Sequence, residues 1–330
     1  MLPKHFLLPI SCTSLLIVAL LPVGAFSQTT GSFPHRFKLE TRWEAAVQSN
    51  QLSFSLAACP DGTVYAMYDQ NLKVIGTDGK TIEDDSLATM GVPIAPIACD
   101  AQKKLFVADN QLSIFEPRTQ GGFKLTSKAP LNVFVVRLLV AQDGSIYGIT
   151  AEPVPSLIAI SDSGKEVLLR KENPNANAPR LMIAATSSED RGCGLAWDGV
   201  EHRVAYIFPE ESKIEFWKET EDVLKRKALP ASKQFEPLVC PPLRQSDLVS
   251  LPNGQFARTR IETSEIADVY NRRYLDVLDG SLSPVARPVP TDAALFGSSD
   301  DGSLYFVAFR DNRMSITKQE LVEDNTPPAN

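Results

Sequence analysis

Histidine is nearly absent. The 330-residue chain has three, His5, His35 and His202, spread along its length. A serine or cysteine nucleophile working with a histidine base has almost no material here. Other chemical signatures are missing too: there is no Gly-x-Ser-x-Gly, no His-Glu-x-x-His and no Cys-x-x-Cys. No dense Asp-x-Asp-x-Asp loop offers a calcium site, and the tightest acidic run, Glu83-Asp84-Asp85, reads as a solvated turn. Basic excess is also lacking. With 33 Lys and Arg against 40 Asp and Glu, well mixed, the net charge is −7, which argues against a nucleic-acid partner. Helical periodicity is scarce, and after the first 27 residues no apolar run is long enough to span a bilayer.

What is present at the start is a targeting segment. Lys4 and His5 precede the apolar stretch Leu15–Leu21, and Ala25-Phe26-Ser27 before Gln28 fits a small-x-small cleavage site, with Val23-Gly24-Ala25 as a second choice. This is the layout of a secretory signal peptide over residues 1–27; an uncleaved N-terminal anchor is the alternative. Cys12 would leave with it. The four remaining cysteines, Cys59, Cys99, Cys193 and Cys240, permit two bridges in an oxidising compartment, in three connectivities, or four buried thiols. The expected location is therefore periplasmic or fully secreted.

The rest of the chain repeats itself. Residues 56–80 (LAACPDGTVYAMYDQNLKVIGTDGK) read as an apolar run, a Pro-Asp-Gly turn, an alternating run, a polar turn and a second alternating run. Asp-Gly turns between such runs are strong hairpin signals. Equivalent units cover 53–68, 96–109, 138–150, 192–208, 248–261 and 294–309, with turn residues Asp61, Asp100, Asp143, Asp198, Asn253 and Asp301. The turn residues are spaced by 39, 43, 55, 55 and 48. Five turns carry Asp-Gly or Asn-Gly, and the second, Asp-Ala-Gln-Lys, is degenerate. A third strand follows each hairpin, and most units show a weaker fourth. Self-similarity at this period with four strands per unit predicts an all-β, six-bladed β-propeller with four-stranded blades; a generic β-sandwich has no reason to repeat the turn six times.

The last unit lacks a fourth strand, while residues 36–43 alternate apolar and charged with no hairpin partner beside them. They are expected to join the last blade as its outer strand and close the ring. The resulting organisation is a signal peptide (1–27), a flexible leader (28–35), a propeller (36–321) and a disordered tail (322–330). The second-strand aromatics Tyr65, Phe106, Tyr147, Tyr206, Phe256 and Tyr305 fall at matching positions and read as inter-blade packing.

On the unit at 60–80, PDGTVYAMYDQNLKVIGTDGK, the pattern resembles the six-bladed NHL-like propellers of exported bacterial proteins, over about residues 36–321. Members of that broad class bind proteins, glycans or small ligands, and some are enzymes. Calcium-dependent gluconolactonase propellers hold a metal with a Glu, an Asn and an Asp on inner strands. The expected inner strands here offer one carboxylate, Asp247, which argues against that site. The repeated tryptophan-docking motif of quinone-dependent dehydrogenase propellers is missing as well. No catalytic residue, metal ligand or cofactor is assigned.

In a propeller the tight first-to-second-strand turns share one face. The long insertions 171–191, 230–247, 262–271 and 151–155 all map to the other, over blades three to five. Long connections on a rigid scaffold are where binding residues gather. The candidates there are Arg180, Arg191, Arg244, Asp247, Glu262 and Tyr270, the three arginines forming a possible basic spot for a carboxylate or sulfate. Cys193 and Cys240 flank the two largest insertions, where a bridge would pin that face. Cys59 and Cys99 end adjacent inner strands, where a bridge depends on how far apart those strands stand. The sequence thus favours a monomeric, non-enzymatic scaffold binding a protein or glycan partner. The alternative is a hydrolase or lyase using Asp247 and Glu262, with or without a divalent cation.

Overall fold

A computed structural model of the chain describes residues 35–47, 54–68, 71–150, 155–171, 193–208, 213–218, 227–234, 248–262, 272–310 and 313–324. The expected signal peptide, residues 28–34 of the leader and residues 325–330 of the tail lie outside them. The first strand, β1 (Phe37–Val47), pairs with none of its sequence neighbours. Blade one follows as β2 (Phe54–Ala58), β3 (Val64–Tyr68), β4 (Asn71–Ile75) and β5 (Thr81–Asp84). Blade two is β6 (Ile97–Cys99), β7 (Leu105–Ala108), β8 (Gln111–Pro117) and β9 (Phe123–Pro130). Blade three is β10 (Val135–Val140), β11 (Ile146–Thr150), β12 (Ser156–Ile160) and β13 (Glu166–Lys171). Blade four is β14 (Cys193–Asp198), β15 (Arg203–Phe208), β16 (Lys213–Lys218) and β17 (Lys227–Gln234). Blade five is β18 (Leu248–Ser250), β19 (Phe256–Glu262), β20 (Arg272–Leu278) and β21 (Val289–Thr291). The last blade takes β22 (Ala294–Ser298), β23 (Leu304–Arg310) and β24 (Arg313–Glu323) from the C-terminal end.

All strand pairs within these sheets are antiparallel, and five sheets keep sequence order. The sixth runs β1-β24-β23-β22, so the N-terminal strand is its outer edge. The register runs from Phe37 opposite Glu323 to Val47 opposite Met314, with one bulge between Thr41 and Trp43. The fold is a six-bladed β-propeller closed by strands from both ends of the chain. In blade four the outer strand includes Pro230–Gln234, part of the stretch 230–247 that the sequence suggested as a connection. An outer edge strand tolerates Pro230, whose missing N–H weakened the strand signal.

The period-2 pattern explains why the blades stack. Along β3, Val64, Ala66 and Tyr68 pack toward blade six, while Tyr65 and Met67 pack toward blade two. Each sheet thus has two apolar faces, and six buried clusters result, one at each seam of the ring. All six second-strand aromatics are buried in these seams, as their spacing suggested.

The tight turns of blades one, two, three, five and six share one geometry, whereas blade four spans a longer loop between Asp198 and Arg203. In blade one, the Cys59 N–H donates to the Thr63 carbonyl (2.8 Å) and the Gly62 N–H to the Cys59 carbonyl (2.9 Å). The Asp61 carboxylate accepts from the Thr63 N–H (3.0 Å) and hydroxyl (3.0 Å). Gly62 has φ +92°, and a Cβ there would sit 2.9 Å from the Tyr305 hydroxyl. The degenerate second turn keeps the same frame: Asp100 caps the N–H groups of Gln102 (2.9 Å) and Lys104 (2.8 Å), and Lys103 itself takes the left-handed position at φ 62°. The turns also link blades. The Tyr65 hydroxyl donates to the Lys103 carbonyl (3.1 Å), and Tyr305 repeats this toward the Gly62 carbonyl (3.2 Å).

Cys59 and Cys99 form a disulfide between the turn-side ends of adjacent inner strands. Their Cα atoms are 5.1 Å apart, within the ordinary span of such a bond.

Candidate functional site

A cavity of about 430 Å³ follows the ring axis, walled by residues of all six inner strands and by tight-turn residues including Pro60, Gln142, Pro252 and Asp300. Its wall mixes aliphatic side chains with polar groups, among them Ser55, Ser250 and Ser298. Among the described inner-strand residues the charged side chains are Arg137 and Asp198. Arg137 is 4% exposed and donates to the Val136 carbonyl at 2.9 Å. Asp198 is turned into its own hairpin, where it accepts from Arg203 Nε (2.7 Å) and from the Val200 N–H (3.1 Å). At the tight-turn mouth the Gln142 amide donates to the Asp300 carboxylate (3.1 Å). These residues belong to blades three and six, opposite each other in a six-membered ring, so the bond crosses the mouth.

The turn-face carboxylates are likewise engaged. Burial opposes ionisation of Asp301, but the Ser299 hydroxyl, the Ser303 N–H and the Lys318 ammonium outweigh it and hold the carboxyl well below the usual range. Asp61 is lowered in the same way: burial works against the charge, and Lys103 and Thr63 more than offset it. Hydrogen bonding to the ionised form keeps such groups charged and unsuited to accept a proton near neutrality. Among the described residues no three of His, Cys, Asp and Glu come together as a metal-binding group. The described part of the channel wall therefore does not match a carboxylate-rich metal site, and no chemistry is derived through one.

Arg180, Arg191, Arg244, Asp247 and Tyr270 lie outside the described residues, as does Cys240. Glu262 is the last residue of β19, with its backbone opposite Arg272. Cys193 opens β14, opposite Ile207. Sequence reasoning passed over Arg137, although a single charge in the apolar run VVRLLV was a legible signal. It also passed over Gln142 and Asp109, whose importance depends on which blades face each other.

No protein-family model matches the chain, and no curated protein matches it in sequence. Solved structures do match in fold. A gluconolactonase from Xanthomonas campestris superposes with TM-score 0.53 at 13% identity, covering 86% of this chain and 90% of that one. A luciferin-regenerating enzyme gives 0.52 at 9% identity, covering 86% and 95%. A streptogramin B lyase gives 0.51 at 12% identity, covering 87% and 98%. At these identities the likeness establishes the six-bladed propeller and nothing about activity. Among the described residues no helix is long and apolar enough to cross a membrane.

Proposed function

We propose that this chain is an exported, NHL-like propeller that binds a protein or glycan partner through the face carrying its long connections. The observation that carries this reading is the contrast between the two faces. On the tight-turn face, the loops are short, the Asp61 and Asp301 carboxylates cap their own turns, and the Gln142–Asp300 hydrogen bond crosses the channel mouth. The sequence assigns the long connections, with Arg180, Arg191, Arg244, Asp247, Glu262 and Tyr270, to the opposite face, and binding residues concentrate in such segments on rigid scaffolds. The Cys59–Cys99 disulfide supports export, because such bonds persist in oxidising compartments.

The test is to shorten 172–191, 235–247 and 263–271 to Gly-Asn turns and compare the variant with the parent chain on a glycan array and in capture from the exported proteome. Loss of one specific partner with unchanged melting is the expected result; retained binding overturns the face assignment. The same preparation tests the alternative of a hydrolase or lyase built on Asp247 and Glu262. Stoichiometric divalent metal, with a melting curve lowered by chelator, would favour that alternative over the scaffold.

A further inference from the structure

A second cavity, of about 210 Å³, lies on the long-connection side at the seam of blades two and three. Apart from Asp109 its lining side chains are apolar, with backbone polar groups between them: Ile94 and Pro96 come from the β5–β6 connection, Phe134 from the β9–β10 connection, and Val136 from β10. The one charged group in the lining is Asp109, in the turn between β7 and β8. Asp109 is half-buried, and its carboxylate accepts no hydrogen bond and makes no ion pair among the described residues. Lys128 lines a smaller pocket on the other side of Asp109 without pairing with it. Phe134 keeps 38% of its surface exposed.

The frame is preset. The Ala108 N–H donates to the Pro96 carbonyl (3.0 Å), the Asp109 N–H to the Gln111 carbonyl (3.1 Å) and the Leu131 N–H to the Asn110 carbonyl (2.9 Å). Three connections are thereby tied together around the cavity, and little ordering remains to oppose binding. A cation brought to this half-buried carboxylate is attracted more strongly than it would be in bulk water. Phe134, part-exposed in the same lining, supplies an aromatic ring, and a ring face attracts a cation through its quadrupole. A single carboxylate is too few ligands for a divalent metal. The aliphatic wall instead fits methylene groups.

We propose that this cavity is a subsite for an alkylammonium group, with the ammonium on Asp109 and Phe134 and the methylene stem against Pro96 and Val136, supplied by a lysine side chain of the partner. The assignment of the source rests on the partner-face reading above; the site itself does not. The test is a titration of the full chain with n-butylammonium at millimolar concentration, followed by the backbone amide shifts of Gln111 and Phe134, with n-butanol as the neutral isostere. Saturable shifts with the cation and none with the alcohol are expected. Asp109→Asn should weaken binding by about tenfold or more, the scale of a lost hydrogen bond to a charged group. Phe134→Ala should weaken it by a smaller factor, with melting unchanged in both variants. Equal response to cation and alcohol, no saturable shift, or an unaffected Asp109→Asn variant overturns the site. A capped lysine peptide forms the second arm. If the free amine binds and the peptide does not, the partner-lysine source is overturned while the site stands. The variant with shortened long connections should keep ammonium binding, so failure of the partner-face reading and failure of the site are separate results.

Discussion

Blade one is fastened to the ring on both sides, by different means. Toward blade two, a disulfide joins Cys59 to Cys99 at the channel end of the inner strands, and Lys103 reaches across to Asp61 (2.8 Å). Toward blade six there is no covalent link among the described residues. That seam is filled by Ala45 and Val47 of β1 together with Tyr305, Met314 and Ile316. Trp43 adds an outer clasp, its indole N–H donating to the Thr77 carbonyl at 3.0 Å, with Gly79 leaving room for the ring. One seam is held by a local bond between residues 40 apart in sequence, the other by a strand whose partner lies at the far end of the chain. A cross-link stabilises chiefly by restricting the unfolded chain. A closing strand instead supplies hydrogen bonds and buried area that form only when the two ends of the chain meet, which couples the last blade to the N-terminal segment.

The largest expected effect follows from removing the long-range closure. Deleting residues 37–47 strips the whole outer face of β24 of its hydrogen-bond partner and leaves an unpaired edge. The deleted chain should lose cooperative melting and aggregate in size-exclusion chromatography. Adding a synthetic peptide of residues 35–48 during refolding should restore a sharp transition by strand addition. A deletion variant that melts cooperatively on its own would show that blade six needs no outer strand. The covalent seam should matter less: Cys59→Ser with Cys99→Ser should destabilise by about 2–4 kcal/mol in denaturant titration while leaving one cooperative transition. A greater loss in the serine variant than in the deletion would reverse the ranking of the two seams.

The two seams also share a device that permits a finer comparison. Tyr305 donates to the Gly62 carbonyl and lies 3.1 Å from the Ser299 hydroxyl, whereas Tyr65 has the Lys103 carbonyl. Removing one hydroxyl in a buried seam costs about 1 kcal/mol for each hydrogen bond whose partner is stranded. Tyr305→Phe should therefore lower stability more than Tyr65→Phe, measured as the shift in denaturant midpoint at constant slope. Equal shifts would mean that the Ser299 contact contributes nothing.

Much of this frame is visible in the sequence because repetition amplifies weak local signals. The six hairpins, the aromatic stripe and the lone strand at 36–43 each gain meaning from the others, and the last predicts ring closure without any structural knowledge. The second turn looks degenerate in sequence because its left-handed position is filled by Lys103 rather than glycine and its capping aspartate, Asp100, sits at the first turn position, where blade one has Cys59. The bridge between Cys59 and Cys99 was one possibility among several until the spacing of inner strands fixed it. The candidate binding surface was far less legible. Long connections mark a face by their length, but Asp109 and Phe134 come from different connections and look like ordinary surface residues in sequence. Only the blade stacking puts a carboxylate and an aromatic ring around one cavity. The same holds for Gln142 and Asp300, whose meeting depends on a six-membered ring placing blade three opposite blade six.

The smallest effect concerns the turn carboxylates, and its sign can be worked out. Asp301 has a folded pKa below that of the unfolded chain, about 3.9. A depressed carboxylate adds stability that is fully present above the unfolded value and is lost as pH falls toward the folded one. Asp61 carries the same sign at the disulfide-linked seam. Melting temperature should thus decline as pH drops below about 4, and Asp301→Asn should flatten part of that decline while lowering stability at pH 7. The change should be modest, because the Lys318 pair leaves the Asp301 side chain 58% exposed and salt screens it. Asp61→Asn should flatten the curve less than Asp301→Asn, since the depression is greater at Asp301, where two serines and a lysine converge on one carboxylate. If instead Asp61→Asn produces the larger change, the Lys103 contact across the covalent seam carries more of the ring's electrostatic stabilisation than the turn of blade six does.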